Sequence, residues 1–354
     1  MKALILAGGK GSRLRPITHS IAKQLIPVAN KPVIEFGIEA IRNAGVTDFG
    51  IIVGDSAGEI KEALGTGERW EAKFTYIPQS APLGLAHAVK TAQPFLGESR
   101  FIMYLGDNLI KTGVDELVKE FDTGSFDASI LLTKVPNPGE FGVAELHDGR
   151  VVGLVEKPKE PKSDYALVGV YLFNPTIFDA IDTLKPSFRG EYEITDAIQT
   201  LIDWGKDVRP HIVTGWWKDT GTVEAMLEAN RLILEDMAHS VEGECCDKTM
   251  IDGPVTIAKG ARVVHSTIRG PAVIGPCCEI IDSYVGPFTS IAERTRLENS
   301  EIEYSIVMED AVIENVDGRI SGSLIGRGAT VSKTGRKPMS VRLVLGDNSS
   351  VVIP

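Results

Sequence analysis

The chain has 354 residues, 43% hydrophobic and 24% charged, which excludes a disordered, collagenous or coiled-coil protein. At about 100–200 residues per domain, two domains are expected. A net charge of −11 without a dense Lys/Arg block argues against a nucleic-acid partner, and no apolar run reaches the ~18–20 residues of a membrane span.

The N-terminal MKALILAGGKGSRLRP runs straight from a short apolar stretch into a Gly/Arg loop and lacks a small-residue cleavage site. It therefore reads as a buried strand and not as a signal peptide. Residues 1–240 alternate short apolar runs with amphipathic stretches. Strands are expected at 3–6, 49–53, 74–77, 101–105, 129–133, 151–156 and 166–173. Several are wholly apolar, as strands buried on both faces are. Helices are expected at 32–44, 59–64, 85–92, 115–121, 175–181 and 194–204. A longer one is expected at 222–237, where Ala225, Leu227, Ala229, Leu232 and Ile233 only partly fit an i, i+3, i+4 stripe. This alternation predicts an α/β domain, with a Rossmann-like, mostly parallel sheet flanked by helices. Such sheets bind ligands beyond the carboxyl ends of their strands.

From 241 to 354 the period changes. Aliphatic residues recur about every six positions: Ile251, Ile257, Val263, Ile268, Ile274, Ile280, Val285, Ile291, Leu297 and Ile302. Met308, Ile313, Ile320, Ile325 and Val331 continue the series, with Gly-Pro pairs and small residues between. Gly-Pro and β-branched residues oppose helix. A hexapeptide period predicts a parallel β-helix whose rungs each turn an aliphatic residue inward from three faces. The cysteines form two adjacent pairs, Cys245-Cys246 and Cys277-Cys278, with no C-x-x-C. They are expected to be free, buried or half-buried thiols in a reducing cytoplasm.

Five segments carry chemistry. LAGGKGSRLRP (6–16) follows the first strand. Its glycines allow a sharp turn and close approach, so that successive N–H groups can cradle phosphate oxygens. G-x-G-x-x-G is absent, because positions 9, 11 and 14 read Gly, Gly, Leu, and no Walker A tail is present. YLGDN (104–108) ends an apolar strand with a short, hard acid suited to Mg²⁺, although a lone Asp there also fits a turn. WWKDTGT (216–222) brings Asp219 just before the long helix, where capping is the plain alternative. PQSAPLGLAHAV (78–89) offers an amide that can donate and accept along a pyrimidine edge. EFGVAEL (140–146), VEKPKEPKS (155–163), ALVGVYLF (166–173) and FRGEYEITD (188–196) form the fifth group. Taken singly, its Glu156-Lys157 and Arg189 read as surface charges.

The run GGKGSRLRPIT with the downstream KQLIP resembles the signature of the sugar-1-phosphate nucleotidylyltransferases, GG-x-G-[ST]-R-L-x-P followed by K-Q-L-[ILV]-P. Over nearly its whole length the chain is similar to the family's long form. That form carries a left-handed hexapeptide β-helix and transfers a thymidylyl group from dTTP to α-D-glucose 1-phosphate. The resemblance implies nucleotide contacts from Leu6, Gly8, Gly9, Gly11, Ser12 and Gln24, with Gln79 and Gly84 reading the base. It implies that Asp107 and Asp219 hold Mg²⁺, and that Gly142, Glu156 and Leu167 line the glucosyl ring. Arg189 and Lys157 then bind the sugar phosphate, and Arg13, Lys23 and Lys157 serve as catalytic cations. A sugar-phosphate oxygen would attack the α-phosphorus in line. It is already an anion, so no general base is required, and none of the residues so assigned is a histidine.

UTP or GTP with another sugar or cyclitol 1-phosphate is the close alternative. An acyltransferase on the β-helix would need a histidine base, and His265 is the only histidine in the repeats. A binding-only relative would lack the metal acids or the basic loop, which are present. A catalytic domain at 1–240 and a β-helix domain at 241–354 are expected. The β-helix is expected to serve assembly, stability or regulation in a homo-oligomer, and the final SVRLVLGDNSSVVIP could pair between subunits.

Overall fold

The computed structural model describes residues 1–333, 348–349 and 351. The rest of the final segment expected to pair between subunits lies outside them. The chain divides into two compact units. One comprises Met1–Lys10, Ala22–Leu25 and Val33–Asp219, and the other Gly11–Ile21, Ile26–Pro32 and Thr220–Pro354.

The first unit is built on a nine-stranded sheet. Its main path runs Arg150–Glu156, Gly142–His147, Tyr165–Phe173, Phe101–Leu105, Lys2–Ala7, Asp48–Val53, Lys73–Pro78. Ala128–Lys134 also pairs with Tyr165–Phe173 and carries Val208–Ile212 on its far side. Lys2–Ala7 is parallel to both its neighbours, and Asp48–Val53 is parallel to Lys73–Pro78. Tyr165–Phe173 is antiparallel to its partners, and Gly142–His147 with Arg150–Glu156 forms a hairpin. The sheet is thus mixed. The run LILA in its central strand explains its position, since Leu4, Ile5 and Ala7 are fully buried and only strands covered on both faces tolerate such a run. Helices Val33–Asn43, Leu85–Thr91, Asp115–Thr123, Thr176–Asp182 and Ile194–Asp203 fall close to their expected places.

The second unit contains the β-helix. Among the described residues three parallel sheets of six, six and five short strands stack along it. Ile257, Ile274, Ile291, Val307 and Ile325 lie in register on one face, and Val263, Ile280, Leu297, Ile313 and Val331 on the next. Most are fully buried, so the period of six is the inward-facing stack itself. One position shifts. The stack uses Val307, where the spacing predicts Met308, because the rung there is a residue shorter.

Helix Val223–Glu235 opens on Thr222, whose hydroxyl accepts the Ala225 N–H at 3.2 Å. Its buried face is Met226, Leu227, Ala229, Asn230 and Leu234. That face includes a polar residue, which is why the apolar stripe fits only partly. All four cysteines are free; Cys278 is buried, while Cys245 and Cys277 are exposed, contrary to expectation. Among the described residues no helix is long and apolar enough to cross a membrane.

Candidate active site

At the carboxyl end of the sheet a cleft of about 300 Å³ is lined by Leu6, Gly8, Gly9, Lys23, Gln24, Gln79, Gly84, Asp107 and Glu191. Three separate segments thus bring six of the eight expected nucleotide residues, Leu6, Gly8, Gly9, Gln24, Gln79 and Gly84, to one cleft, whereas Gly11 and Ser12 do not line it. Gly8 leaves room for Gln79, since a Cβ there would stand 3.3 Å from Gln79 Oε1. Gly9 leaves room for Lys23, with a Cβ 3.1 Å from Lys23 Cε. The Lys23 ammonium contacts Asp107 Oδ2 directly. Gln24 is 1% exposed, and its Oε1 has no partner among the described residues. A buried acceptor left open in a cleft points to a donor on a ligand.

Gln79 is held from two sides. Its Nε2 lies 2.9 Å from His87 Nδ1 and donates to Gly84 O at 3.4 Å. His87 lies inside the 78–89 segment and was not among the assigned residues. Its signal was its place two residues into the helix that Gly84 begins.

Strand pairing brings the chain at Asp219 beside the chain at Asp107. Asn108–Ile110 and Trp217–Asp219 form a two-stranded antiparallel ladder in which Asp219 lies opposite Asn108, next in chain to Asp107. Asn108 is buried. Its Nδ2 donates to Asp107 Oδ1 at 3.2 Å, and its Oδ1 accepts Trp217 Nε1–H at 2.6 Å. Neither strand was expected, because three-residue runs carry too little pattern.

The expected sugar side also assembles. A Cβ on Gly142 would stand 2.7 Å from Leu167, 2.8 Å from Thr195 and 3.1 Å from Glu156 Oε2. Thr195 Oγ1 donates to Glu156 at 3.4 Å. Arg189 pairs with Glu156 at 3.5 Å, Glu191 at 3.1 Å and Glu193 at 3.5 Å. Its guanidinium thus sits in a ring of three carboxylates, two of which sequence reasoning passed over. Lys157 is exposed, with a left-handed backbone (φ 43°) and its N–H on Phe141 O. Gly11, Ser12 and Arg13 belong to the second unit, where Ser12–Leu14 is a short 3-10 turn that Gly11 enters at φ 62°.

Burial first, and then the charge of Glu193, push the Glu156 carboxyl above the ordinary glutamate value, against the pull of Lys157 and Arg189. Burial raises Glu193 likewise. A carboxyl that holds its proton more tightly folded than unfolded weakens the fold as pH rises through its unfolded value. The penalty is complete above its raised folded value. Glu156→Gln is therefore expected to raise the thermal midpoint at neutral pH, by about 2–4 °C for each ~1 kcal/mol relieved. The gain should vanish below the ordinary glutamate range. Calorimetry at the two pH values checks this, and a lower midpoint at both would contradict it.

Residues 2–236 match the nucleotidyl transferase family. The chain is 55% identical to a glucose-1-phosphate thymidylyltransferase of Streptomyces antibioticus, covering 100% of this chain and 99% of that one. It is 47% identical to the low-salt glycan biosynthesis nucleotidyltransferase Agl11 of Haloferax volcanii, over 99% of both. A solved UDP-glucose pyrophosphorylase complexed with UDP-glucose is 26% identical, covers 66% of this chain and 98% of its own, and superposes with a TM-score of 0.60. The family motifs, the cleft behind them and these full-length relatives agree: the chain belongs to the nucleotidyl transferase family, in the branch of the glucose-1-phosphate thymidylyltransferases.

Proposed function

We propose that the chain transfers a thymidylyl group from dTTP to α-D-glucose 1-phosphate, giving dTDP-glucose and pyrophosphate. The observation that carries this reading is the single cleft shared by Gly8, Gly9, Lys23, Gln24, Gln79, Gly84 and Asp107. Gln79, oriented by His87, presents its amide to the pyrimidine edge. Ile52, Pro82, Leu85 and Ala88 line the same cleft and offer an apolar wall to the base and its methyl group. Leu6, Gly11 and Ser12 complete the nucleotide contacts. Gly142, Glu156 and Leu167 receive the glucosyl ring. A carboxylate accepting from neighbouring hydroxyls suits that task, and Lys157 and Arg189 take the sugar phosphate.

The metal fits the donor set. Asp107 and Asp219 are hard carboxylates on neighbouring stretches of chain, since Asp219 lies opposite Asn108, and Mg²⁺ accepts one or two carboxylates beside phosphate oxygens and water. When bound, it neutralises charge on the nucleotide phosphates. Arg13 and Lys23 stabilise charge on the α-phosphoryl group and on the departing pyrophosphate. A phosphate oxygen of the sugar attacks the α-phosphorus as the bond to the β-phosphate oxygen breaks. Lys157 and Arg189 aim that oxygen. Catalysis is positioning plus charge stabilisation. One phosphoanhydride replaces another, so the reaction is reversible.

The test runs the enzyme backwards. dTDP-glucose and pyrophosphate with Mg²⁺ should yield dTTP and glucose 1-phosphate, identified by mass. Absence of dTTP, with dTDP-glucose left intact, would sink the reading.

A further inference from the structure

We propose that His87 is a positioning residue that sets base specificity: it holds the Gln79 amide with its carbonyl oxygen turned to the nucleotide, so that the site takes a base with a ring N–H and refuses one with a ring lone pair in that place. The inference rests on the reading of Gln79 as the base contact given above.

Every group involved lies in the first unit. Gln79 follows strand Lys73–Pro78, and its N–H donates to Val53 O at 2.9 Å, which continues the parallel pairing with Asp48–Val53. Its backbone is therefore fixed on the sheet, and the side-chain amide is what remains to be oriented. Helix Leu85–Thr91 follows, with Ala86, Ala88 and Val89 buried, so His87 stands on a packed element. Gln79 Nε2 lies 2.9 Å from His87 Nδ1 and 3.4 Å from Gly84 O. An amide nitrogen only donates, and a carbonyl oxygen only accepts. Gly84 O therefore opposes the reversed amide, which would set two acceptors against each other. His87 Nδ1 is then the acceptor, and the ring hydrogen sits on Nε2. Of the two contacts the imidazole's is the shorter, so His87 carries most of the orientation. Both amide hydrogens are thereby used inside the protein.

What remains for a ligand is Gln79 Oε1. It stands next to Gly8, where a Cβ would come within 3.3 Å of it, and both residues line the cleft. An acceptor fixed in this way calls for a donor on the base. Thymine and uracil carry a ring N–H between their two carbonyls. Cytosine and adenine carry a lone pair at the matching ring nitrogen, so two acceptors would face each other. Guanine also carries a ring N–H, and its exclusion falls to other groups. A site built around a hydrogen bond rejects a base that lacks the donor far more strongly than fit of shape alone can.

A merely structural imidazole would affect every nucleotide alike. The test is therefore a ratio, kcat/KM with dTTP over kcat/KM with dCTP. It is measured on the full chain with Mg²⁺ and glucose 1-phosphate, at a temperature where circular dichroism shows every variant folded. The parent is expected to prefer dTTP about a thousandfold or more. His87→Phe keeps a ring on the helix and removes the acceptor. It is expected to lower that preference about 10–100-fold. His87→Gln returns an acceptor to the same position and should recover most of the loss. His87→Ala should show the same loss as His87→Phe, and it decides the matter if His87→Phe does not fold. In a Gln79→Leu background the His87→Phe change should move the ratio less than about twofold. A folded His87→Phe or His87→Ala variant whose preference stays within about twofold of the parent overturns the proposal, whatever its absolute rate, as does an equal fall in both backgrounds. If Gln79→Leu alone leaves the ratio unchanged, the reading of Gln79 as the base contact fails, and the proposal fails with it.

Discussion

Asp107→Asn is expected to lower kcat about a thousandfold or more while the thermal midpoint stays within a few degrees of the parent. Asp107 is where three observations converge. Lys23 contacts one of its oxygens, Asn108 donates to the other at 3.2 Å, and the ladder sets Asp219 opposite the next residue. The asparagine side chain keeps the shape and one acceptor for Lys23, so the local packing survives. It removes the negative charge that holds a divalent cation. Steady-state rates with calorimetry check both halves. A folded variant with near-parental turnover would refute the metal assignment. A variant that unfolds would show that Asp107 acts mainly as the counter-charge of Lys23.

The second large effect is expected at Gly84. Its backbone lies at φ 103°, ψ 173°, a region essentially reserved for glycine. A Cβ there would stand 2.4 Å from Tyr192 O and 2.8 Å from Tyr192 N, both backbone atoms that cannot swing aside. Those atoms join two loops: the Tyr192 N–H donates to Leu83 O at 2.7 Å, and the Ala86 N–H donates to Tyr192 O at 3.1 Å. The loop beside Gln79 and the loop carrying Arg189 are thus stitched together at one residue. Gly84→Ala should weaken dTTP binding about a hundredfold or more, or prevent folding, at a cost of several kcal/mol. It should also raise KM for the sugar phosphate, since Tyr192 lies between Glu191 and Glu193. Gly205→Ala, at φ 70° with open space around it, isolates the cost of the backbone conformation alone. Calorimetric titration with dTTP reads the difference. Equal binding by the two variants would mean that the stitch carries no weight.

Much of this was legible in the sequence. The β-helix is legible because its period is its packing: residues about six apart turn inward from successive faces, and every third of them stacks in register on the rung below. The buried strands read clearly because a run such as ALILA has no alternative to full burial. The hairpin strand Gly142–His147 carries little strand signal, since its apolar and polar residues alternate weakly. The ladder that sets Asp219 opposite Asn108, the neighbour of Asp107, involves segments more than a hundred residues apart, and nothing local records that pairing. Asn230 was illegible for the same reason. A polar residue on a helix face reads as surface unless its partners, which lie on distant segments, are known. Arg189 read as a lone loop charge, whereas the fold surrounds it with Glu156, Glu191 and Glu193.

The most direct test of the account is pyrophosphate release with Mg²⁺ across dTTP, UTP, GTP, ATP and CTP, each combined with a set of sugar 1-phosphates. The account predicts a sharp maximum at dTTP with glucose 1-phosphate. A maximum at another pair would contradict the base and sugar assignments at Gln79 and Glu156, and no release with any pair would contradict the catalytic reading as a whole.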